Sequence, residues 1–440
     1  MKRTLILLLA VSLICFAGFT QSIDKAKLDT YLDALASNNR FMGSVSIAQG
    51  DKVIYSKSVG FADVEHGLKA NENSKYRIGS ISKTFTAVLV LKAVEEDKLS
   101  LSETIDKYFP AIVNADKITI EHLLRHRSGL HNHLDEFVNS NQHTQPITEK
   151  EMIEVIIKGG SDFAPDTKMA YSNPNYILLS YILEKIYKKP FSKILEDKII
   201  NPLALRNTYL DGKINTSNGA CQSYVFFNKN WELAPEFDVS QLLGAGAITS
   251  TPTDLVKFGN ALFSGKLILE NSLTKMQTIK DQYGMGLFQM PFDNKTGFGH
   301  TGGIDGFRSV FAYFPTGEIS FAYTSNGMNF NGNDISLAVL SAAYNKPFEI
   351  PAFTTYVLTD EDLDKYLGIY SSKQLPLKMT MTKANNQLFG QGTGQPSFPL
   401  EAIEKDKFEL KQAGLVLEFN PTNNTMILKQ GGGVFNFEKE

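Results

Sequence analysis

Apolar positions recur at helical spacing over residues 24–40, where Leu28, Tyr31, Leu32 and Leu35 fall on one face. The period then shortens to two. Ser44-Val45-Ser46-Ile47 alternates, and Val53-Ile54-Tyr55 resumes after Gln49-Gly50-Asp51, which predicts a hairpin. Residues 81–97, with Phe85, Val88, Leu89, Leu91 and Val94, are apolar nearly all round and predict a buried helix. Helices are also predicted over 118–126, 149–158, 175–187 and 252–263. Residues 309–325 read as two strands joined by Pro315-Thr316-Gly317.

The pattern changes near Pro347 to Pro351. Beyond it come short alternating runs: Lys378 to Thr382, Gln387 to Gly390, Lys407 to Leu410, Leu415 to Phe419, Thr425 to Leu428 and Val434 to Phe437. Asn385-Asn386 and Asn423-Asn424 mark turns between them, so residues 352–440 read as a small all-β domain.

At the other end, Lys2 and Arg3 precede an apolar run from Leu5 to Phe19, followed by Thr20, Gln21 and Ser22. The run is too short to span a bilayer and reads as a signal peptide over residues 1–20, cleaved near Gln21. The chain is therefore expected to be exported, to the periplasm or beyond. Ile14 before Cys15 argues against a lipoprotein signal, and no later segment is long and apolar enough to cross a membrane. Cleavage leaves one cysteine, Cys221, which cannot form an internal disulfide and reads as a small buried hydrophobe. A net charge of −3 over 440 residues offers no basic surplus for a phosphate backbone, so nucleic acid is not an expected partner. Residues 21–349 remain as the domain that carries the chemistry.

Its strongest signal is Ser80-Ile81-Ser82-Lys83, at the head of the buried helix. Lys83 lies one turn beyond Ser80 on the same face, so its amine can reach a hydroxyl that is a poor nucleophile without a base. Ser272-Leu273-Thr274-Lys275 repeats the spacing and reads as a solvated helix turn. A second signal is Tyr171-Ser172-Asn173, the one tyrosine among 17 followed by asparagine two places on. It reads as a loop closed by Pro174. Tyr171 could accept a proton if the Lys83 cation pulled its pKa down, and Asn173 could bind Lys83 and a substrate amide. Capping and turn packing are the plain alternatives for both. The third signal is Gly299-His300-Thr301-Gly302-Gly303, a strand against which a substrate can lie. The N–H groups of Gly303 and Ser80 are candidate oxyanion donors. Lys295-Thr296-Gly297, beside Asp293-Asn294, reads as a hairpin turn.

In this order the three signals resemble the serine β-lactamase and penicillin-binding superfamily. The nearest likeness is to its class C-related branch of β-lactamases, D-alanyl-D-alanine carboxypeptidases, D-aminopeptidases and esterases. Tyr76 to Lys83, His122 to Leu130 and Gly244-Ala245-Gly246 add to the likeness, which covers about residues 40–345. It implies an α/β (α+β) fold, with an antiparallel sheet flanked by helices and a helical subdomain. It also implies Ser80 as nucleophile, Lys83 and Tyr171 as the proton-transfer pair, Asn173 as a positioning group, and His300, Thr301, Gly302 and Gly303 as substrate strand. The tail resembles small lipocalin-like β domains. Histidine stands where class C β-lactamases carry lysine, so the resemblance leans toward an esterase or peptidase. The substrate is then a small ester, amide or D-amino-acid peptide, and a neutral group is preferred over a carboxylate. A true β-lactamase and a penicillin-binding sensor are the alternatives, and no cofactor is expected.

A metal reading rests on His131-Asn132-His133-Leu134-Asp135, which resembles the start of a metallo-hydrolase motif. Two imidazoles and a carboxylate suit zinc, but Glu136 stands where a further histidine is required. No metal is expected. His131 and His133 read as a polar loop near the cleft.

Overall fold

The computed structural model describes residues 23–440 except 135, 137–141, 211, 228, 354, 355 and 357. The leader over residues 1–20, its Cys15, and Asp135 lie outside the described residues.

Helix α1 (Lys25–Ser37) begins where the Asp24 side chain accepts the Lys27 N–H, and its predicted apolar face is buried. The hairpin follows as β1 (Phe41–Gln49) and β2 (Lys52–Val59). Next come the buried helix α2 (Ser82–Glu95), α3 (Ile120–Leu124), α4 (Glu149–Gly159), α5 (Asn173–Tyr187) and α6 (Pro252–Phe263). Helix α5 starts two residues before the predicted boundary. Pro174 sits in its first turn, where a missing N–H removes no helical bond, so Asn173 opens a helix and does not end a loop.

Strands β3 (Phe288–Phe292), β4 (Lys295–Ile304), β5 (Phe307–Phe314) and β6 (Ile319–Met328) and helix α7 (Gly332–Ala343) complete this part. The six strands form one antiparallel sheet in the order β3-β4-β5-β6-β1-β2. Strand β1 is buried along almost its whole length because both faces of the sheet are covered. Helices α2, α5 and α6 share a core with one face. Helices α1 and α7 share a second core with the other.

Beyond residue 367 the chain forms a closed eight-stranded barrel. Its strands are β7 (Gly368–Ser371), β8 (Lys378–Ala384), β9 (Gln387–Gly392), β10 (Phe398–Glu404), β11 (Lys407–Leu410), β12 (Leu415–Asn420), β13 (Thr425–Gln430) and β14 (Gly433–Lys439). The sequence pattern marks six of them. It passes over β7, which has only four residues, and β10, where Pro399 interrupts a run that is otherwise strand-like. Tyr366, Tyr370, Leu417 and Phe419 fill the interior.

The barrel is tied to the end of the sheet. Arg40 holds Glu401 with both terminal nitrogens and lies over the Phe353 ring, and Gln412 Nε2 donates to Asn329 Oδ1 at 2.7 Å. Phe330 packs edge-on against Phe353.

The contact between α6 and the sheet gives a test. A side chain at Gly259 would place Cβ 2.3 Å from the buried Phe311 ring. Gly259→Ala gains about 1 kcal/mol of helix propensity, but overpacking a closed core costs about 1–3 kcal/mol. Net destabilisation is expected, read as a lower urea midpoint at unchanged m-value.

Candidate active site

The site begins with a close approach of backbones. Gly79 sits at φ +51°, and a Cβ there would lie 2.7 Å from Gly303 N. A Cβ on Gly302 would lie 2.0 Å from Ile78 O. Only glycine at both positions lets the turn Gly79–Ile81 press against β4. Ser80 therefore stands in a 3₁₀ turn just before α2, with its backbone beside Gly303. Strand β3 pairs with β4 only as far as Gly299, so among the described residues the edge from His300 to Gly303 has no strand partner.

Lys83 is fully buried, with no carboxylate among its partners in the described residues. Its Nζ is 3.0 Å from Ser80 Oγ, 2.8 Å from Asn173 Oδ1 and 2.7 Å from Ala245 O. The last two atoms can only accept. A neutral amine meets both with its two N–H bonds and keeps its lone pair for the Ser80 hydroxyl. Burial pulls the Lys83 pKa well below its usual value, which favours that neutral form.

Each partner is fixed from elsewhere. Gly244 packs so closely on Thr86, Ser180 and Phe191 that a Cβ would lie 2.6 Å from Thr86 Oγ1, and this delivers Ala245 O to Lys83. Asn173 donates twice to Asn132 Oδ1, from its backbone N at 3.1 Å and from Nδ2 at 3.2 Å, which turns its Oδ1 to Lys83. His126 Nδ1 accepts the Ser172 N–H at 3.2 Å, and its ring lies 4.2 Å from that of Tyr171.

Tyr171 lies with its ring 4.9 Å from Lys83 Nζ. Burial pushes its pKa up, and a hydrogen bond with Ser80 only partly opposes this. The expected direction is therefore reversed. Tyr171 keeps its proton and Lys83 readily gives its own up, because burial penalises the charged form of both.

His300, expected to be neutral and to line the substrate strand, is more enclosed than that reading requires. It is 1% exposed. Its Nδ1 lies 2.6 Å from Thr301 O and its Nε2 3.0 Å from Tyr283 Oη, so Nδ1–H donates and Nε2 accepts. Burial and the nearby Lys83 lower its pKa to about 3. A neutral ring with both nitrogens engaged cannot read a carboxylate. Thr301 and Gly303 are exposed, and Gly302 is half-buried.

The remaining candidates lie apart from this cluster. Lys295 starts β4 at the far end from Gly303, and a two-residue turn joins it to Phe292. Ser272 is 9% exposed, so it is buried where a solvated turn was expected, while Lys275 is exposed. The Cys221 thiol is buried and pushed up to about 12, which makes it unreactive. His131 lies between Asp162 and Glu136, and His133 is buried beside Asn132. Among the described residues no group of three His, Cys, Asp or Glu side chains has metal-holding geometry.

Asn132, Ala245 O and Tyr283 had no assigned role in the sequence. The first two lie within His131-Asn132-His133 and Gly244-Ala245-Gly246, where the histidines and glycines are the more distinctive residue types.

A profile of the Beta-lactamase family matches residues 28–346. The chain belongs to this family. Penicillin-binding protein 4* of Bacillus subtilis is 23% identical over 428 residues, covering 89% of this chain and 93% of the relative. Teichoic acid D-alanine hydrolase of Staphylococcus aureus is 27% identical over 288 residues, covering 63% of this chain and 69% of the relative. Among solved structures, D-amino acid amidase from Ochrobactrum anthropi SV3 with L-phenylalanine matches at TM-score 0.65 and 25% identity, covering 73% of this chain and 98% of that one. The octameric penicillin-binding protein homologue from Pyrococcus abyssi matches at TM-score 0.66 and 23% identity over 94% of this chain and 100% of its own. This Beta-lactamase family protein is a serine hydrolase with the β-lactamase and penicillin-binding fold. Among its described residues no helix is long and apolar enough to cross a membrane.

Two expectations follow. Asn132→Leu loses the acceptor that orients Asn173, so kcat should fall by up to about 10²-fold with the fold intact. Single-turnover kinetics alongside circular dichroism checks this. For His300, the folded ring binds its proton only near pH 3, while an unfolded histidine binds one near 6.5. Acidification from 6.5 toward 3 therefore favours unfolding, by about 2 kcal/mol at pH 5. In His300→Gln the stability difference between pH 7.5 and pH 5 should shrink by about that amount in urea titrations.

Proposed function

We propose that the protein is an exported hydrolase that cleaves D-alanyl or related D-aminoacyl esters and amides through an acyl-enzyme on Ser80. The observation that carries the reading is the buried, carboxylate-free Lys83 amine 3.0 Å from Ser80 Oγ. Ser80 Oγ attacks the substrate carbonyl carbon while its proton passes to Lys83 Nζ. The carbonyl oxygen becomes an oxyanion between the N–H groups of Ser80 and Gly303. Collapse breaks the bond to the leaving oxygen or nitrogen, which takes a proton from the Lys83–Tyr171 pair. Water then attacks the acyl carbon, its proton goes to the same pair, and Ser80 is released with the acid. Asn173 holds Lys83 in line and presents its amide to the substrate. Thr301, Gly302 and Gly303 form the strand edge on which the substrate lies, and His300 forms the wall behind it.

The substrate class is supported by two relatives, the D-alanine hydrolase of S. aureus and the amidase of O. anthropi, whose names state D-alanine and D-amino acid substrates. Export is supported by the leader read over residues 1–20. The division into a hydrolase domain over 21–349 and a β domain over 352–440 is supported by the end of the family match at 346 and the closure of the barrel.

Intact-mass labelling with a fluorophosphonate tests the nucleophile. Ser80→Ala should lose label and at least about 10³-fold in kcat, whereas Ser272→Ala should retain both. Label retained in Ser80→Ala overturns the assignment. A turnover panel of a D-alanyl ester, a D-Ala-D-Ala peptide, a p-nitrophenyl ester and nitrocefin tests the substrate class. Nitrocefin as the strongly preferred substrate would make the protein a β-lactamase. One acylation without turnover on any member would make it a sensor.

A further inference from the structure

The two N–H groups assigned to the oxyanion, those of Ser80 and Gly303, come from distant parts of the chain. Contacts between segments, and no single element, set their spacing. Gly79 and Gly302 let the Ser80 turn and β4 approach as closely as backbones can, which sets a lower limit. A contact that only repels leaves the upper limit open. One tie is Ser309 Oγ, which donates to Ile78 O at 2.8 Å. A second lies beside it, where Arg77 Nη1 donates to Asp305 Oδ2 at 3.1 Å. Arg77 directly precedes Ile78, Asp305 directly follows the end of β4, and 228 residues separate the two.

This ion pair is buried, with side chains 3% and 0% exposed. A buried pair is a weak stabilising device, because desolvation offsets the attraction, so stability alone does not account for it. Its partners give it a direction. Asp305 opens the two-residue turn from β4 to β5 at φ +52°, and the N–H of Gly306, next in that turn, donates to Ser223 Oγ at 2.6 Å. Asp305 Oδ1 accepts the Phe237 N–H at 2.8 Å, and Arg77 Nη1 also donates to Phe237 O at 2.8 Å. Both backbone groups of Phe237 are thus held by the pair. From Phe237 two 3₁₀ turns, Val239–Gln241 and Leu243–Ala245, lead to the carbonyl that binds Lys83. Arg77 Nη2 donates to Glu236 Oε1 and Gly212 O, which fixes the plane of the guanidinium. One pair therefore joins the Ser80 turn, the end of the substrate strand and the loop behind Lys83.

We propose that Arg77 and Asp305 are positioning residues for the oxyanion hole. Their tie holds the Ser80 and Gly303 N–H groups at the spacing that one tetrahedral oxygen requires, with both donors about 2.7–3.1 Å from it. They act through the backbone and not on the substrate. The role deepens the acyl-enzyme reading and rests on Ser80 as nucleophile with Gly303 as the second donor.

The test compares oxygen with sulfur at the reacting carbonyl. p-Nitrophenyl acetate and its thiono analogue, with C=S in place of C=O, would acylate the same serine through the same base and lose the same leaving group. Sulfur is larger and a weaker acceptor, so two well-spaced donors favour the oxygen substrate. Nitrophenol release is followed at pH 8 and normalised to Ser80 titrated with fluorophosphonate. Burial raises the Asp305 pKa to about 6, so at that pH the carboxylate is ionised. Asp305→Asn keeps the shape and tolerates the positive φ, but its amide cannot accept from both Arg77 and Phe237. In this variant the oxygen substrate should slow by about 10–10²-fold and the sulfur substrate far less, so the oxygen-to-sulfur ratio falls about tenfold. Arg77→Lys replaces the fork with a single ammonium and should give an intermediate ratio. Equal losses on both substrates, or an unchanged ratio in both variants, overturn the role of the pair and leave the Ser80 reading standing. A wild-type ratio near one overturns the two donors as an oxyanion hole, and the role of the pair with it. Absence of acylation of wild-type Ser80 by the oxygen ester overturns the acyl-enzyme reading as well.

Discussion

The site depends on keeping a lysine amine in a dry pocket without a counter-charge. Moving an unpaired ammonium out of water costs several kcal/mol, so a buried lysine with only neutral partners sheds its proton easily. Lys83 is in that position, and its partners come from separate parts of the chain. The Ser80 turn lies beside it, Asn173 opens α5, and Ala245 lies on a glycine-bracketed loop. A carboxylate in place of either amide-type acceptor would hold the proton on nitrogen and abolish the base. The tight packing at Gly244, and the Asn132 contact that turns Asn173, therefore serve the same end. They keep neutral oxygens where an acid would be stabilising but inactive.

The roles of the aromatic groups around Lys83 follow from the same dryness. Burial pushes Tyr171 and Tyr283 toward the phenol and His126 and His300 toward the neutral ring. The wall of the pocket is thus composed of uncharged polar groups that donate or accept without competing for the proton.

Much of this was legible in the residues. Period-two and period-3.6 patterns found the β1–β2 hairpin, the core helix α2 and most barrel strands, because each buries a regular face. The spacing of Ser80 and Lys83 located the nucleophile and its neighbour, since one helical turn fixes their distance. What escaped was set by packing between distant segments. The burial of His300 and Ser272, and the preference of Tyr171 for its proton that its own burial causes, are set by how distant segments pack, which local sequence does not encode. Asn132 escaped because its function is to orient another side chain 41 residues on. Strand β10 escaped because Pro399 is tolerated only in the particular ladder the barrel builds.

The unpaired stretch of β4 has a further consequence. A strand edge with free N–H and C=O groups is an invitation to intermolecular pairing, which sheet proteins ordinarily block with charges, bulges or a covering segment. Here the edge from His300 to Gly303 is flanked by the end of β3 at one side and the Ser80 turn at the other. Four residues of strand offer about 13 Å of ladder. That gap is long enough for an extended segment of a few bonds and too short to template a second sheet. The geometry of the edge therefore sets an upper length on any strand that pairs with it.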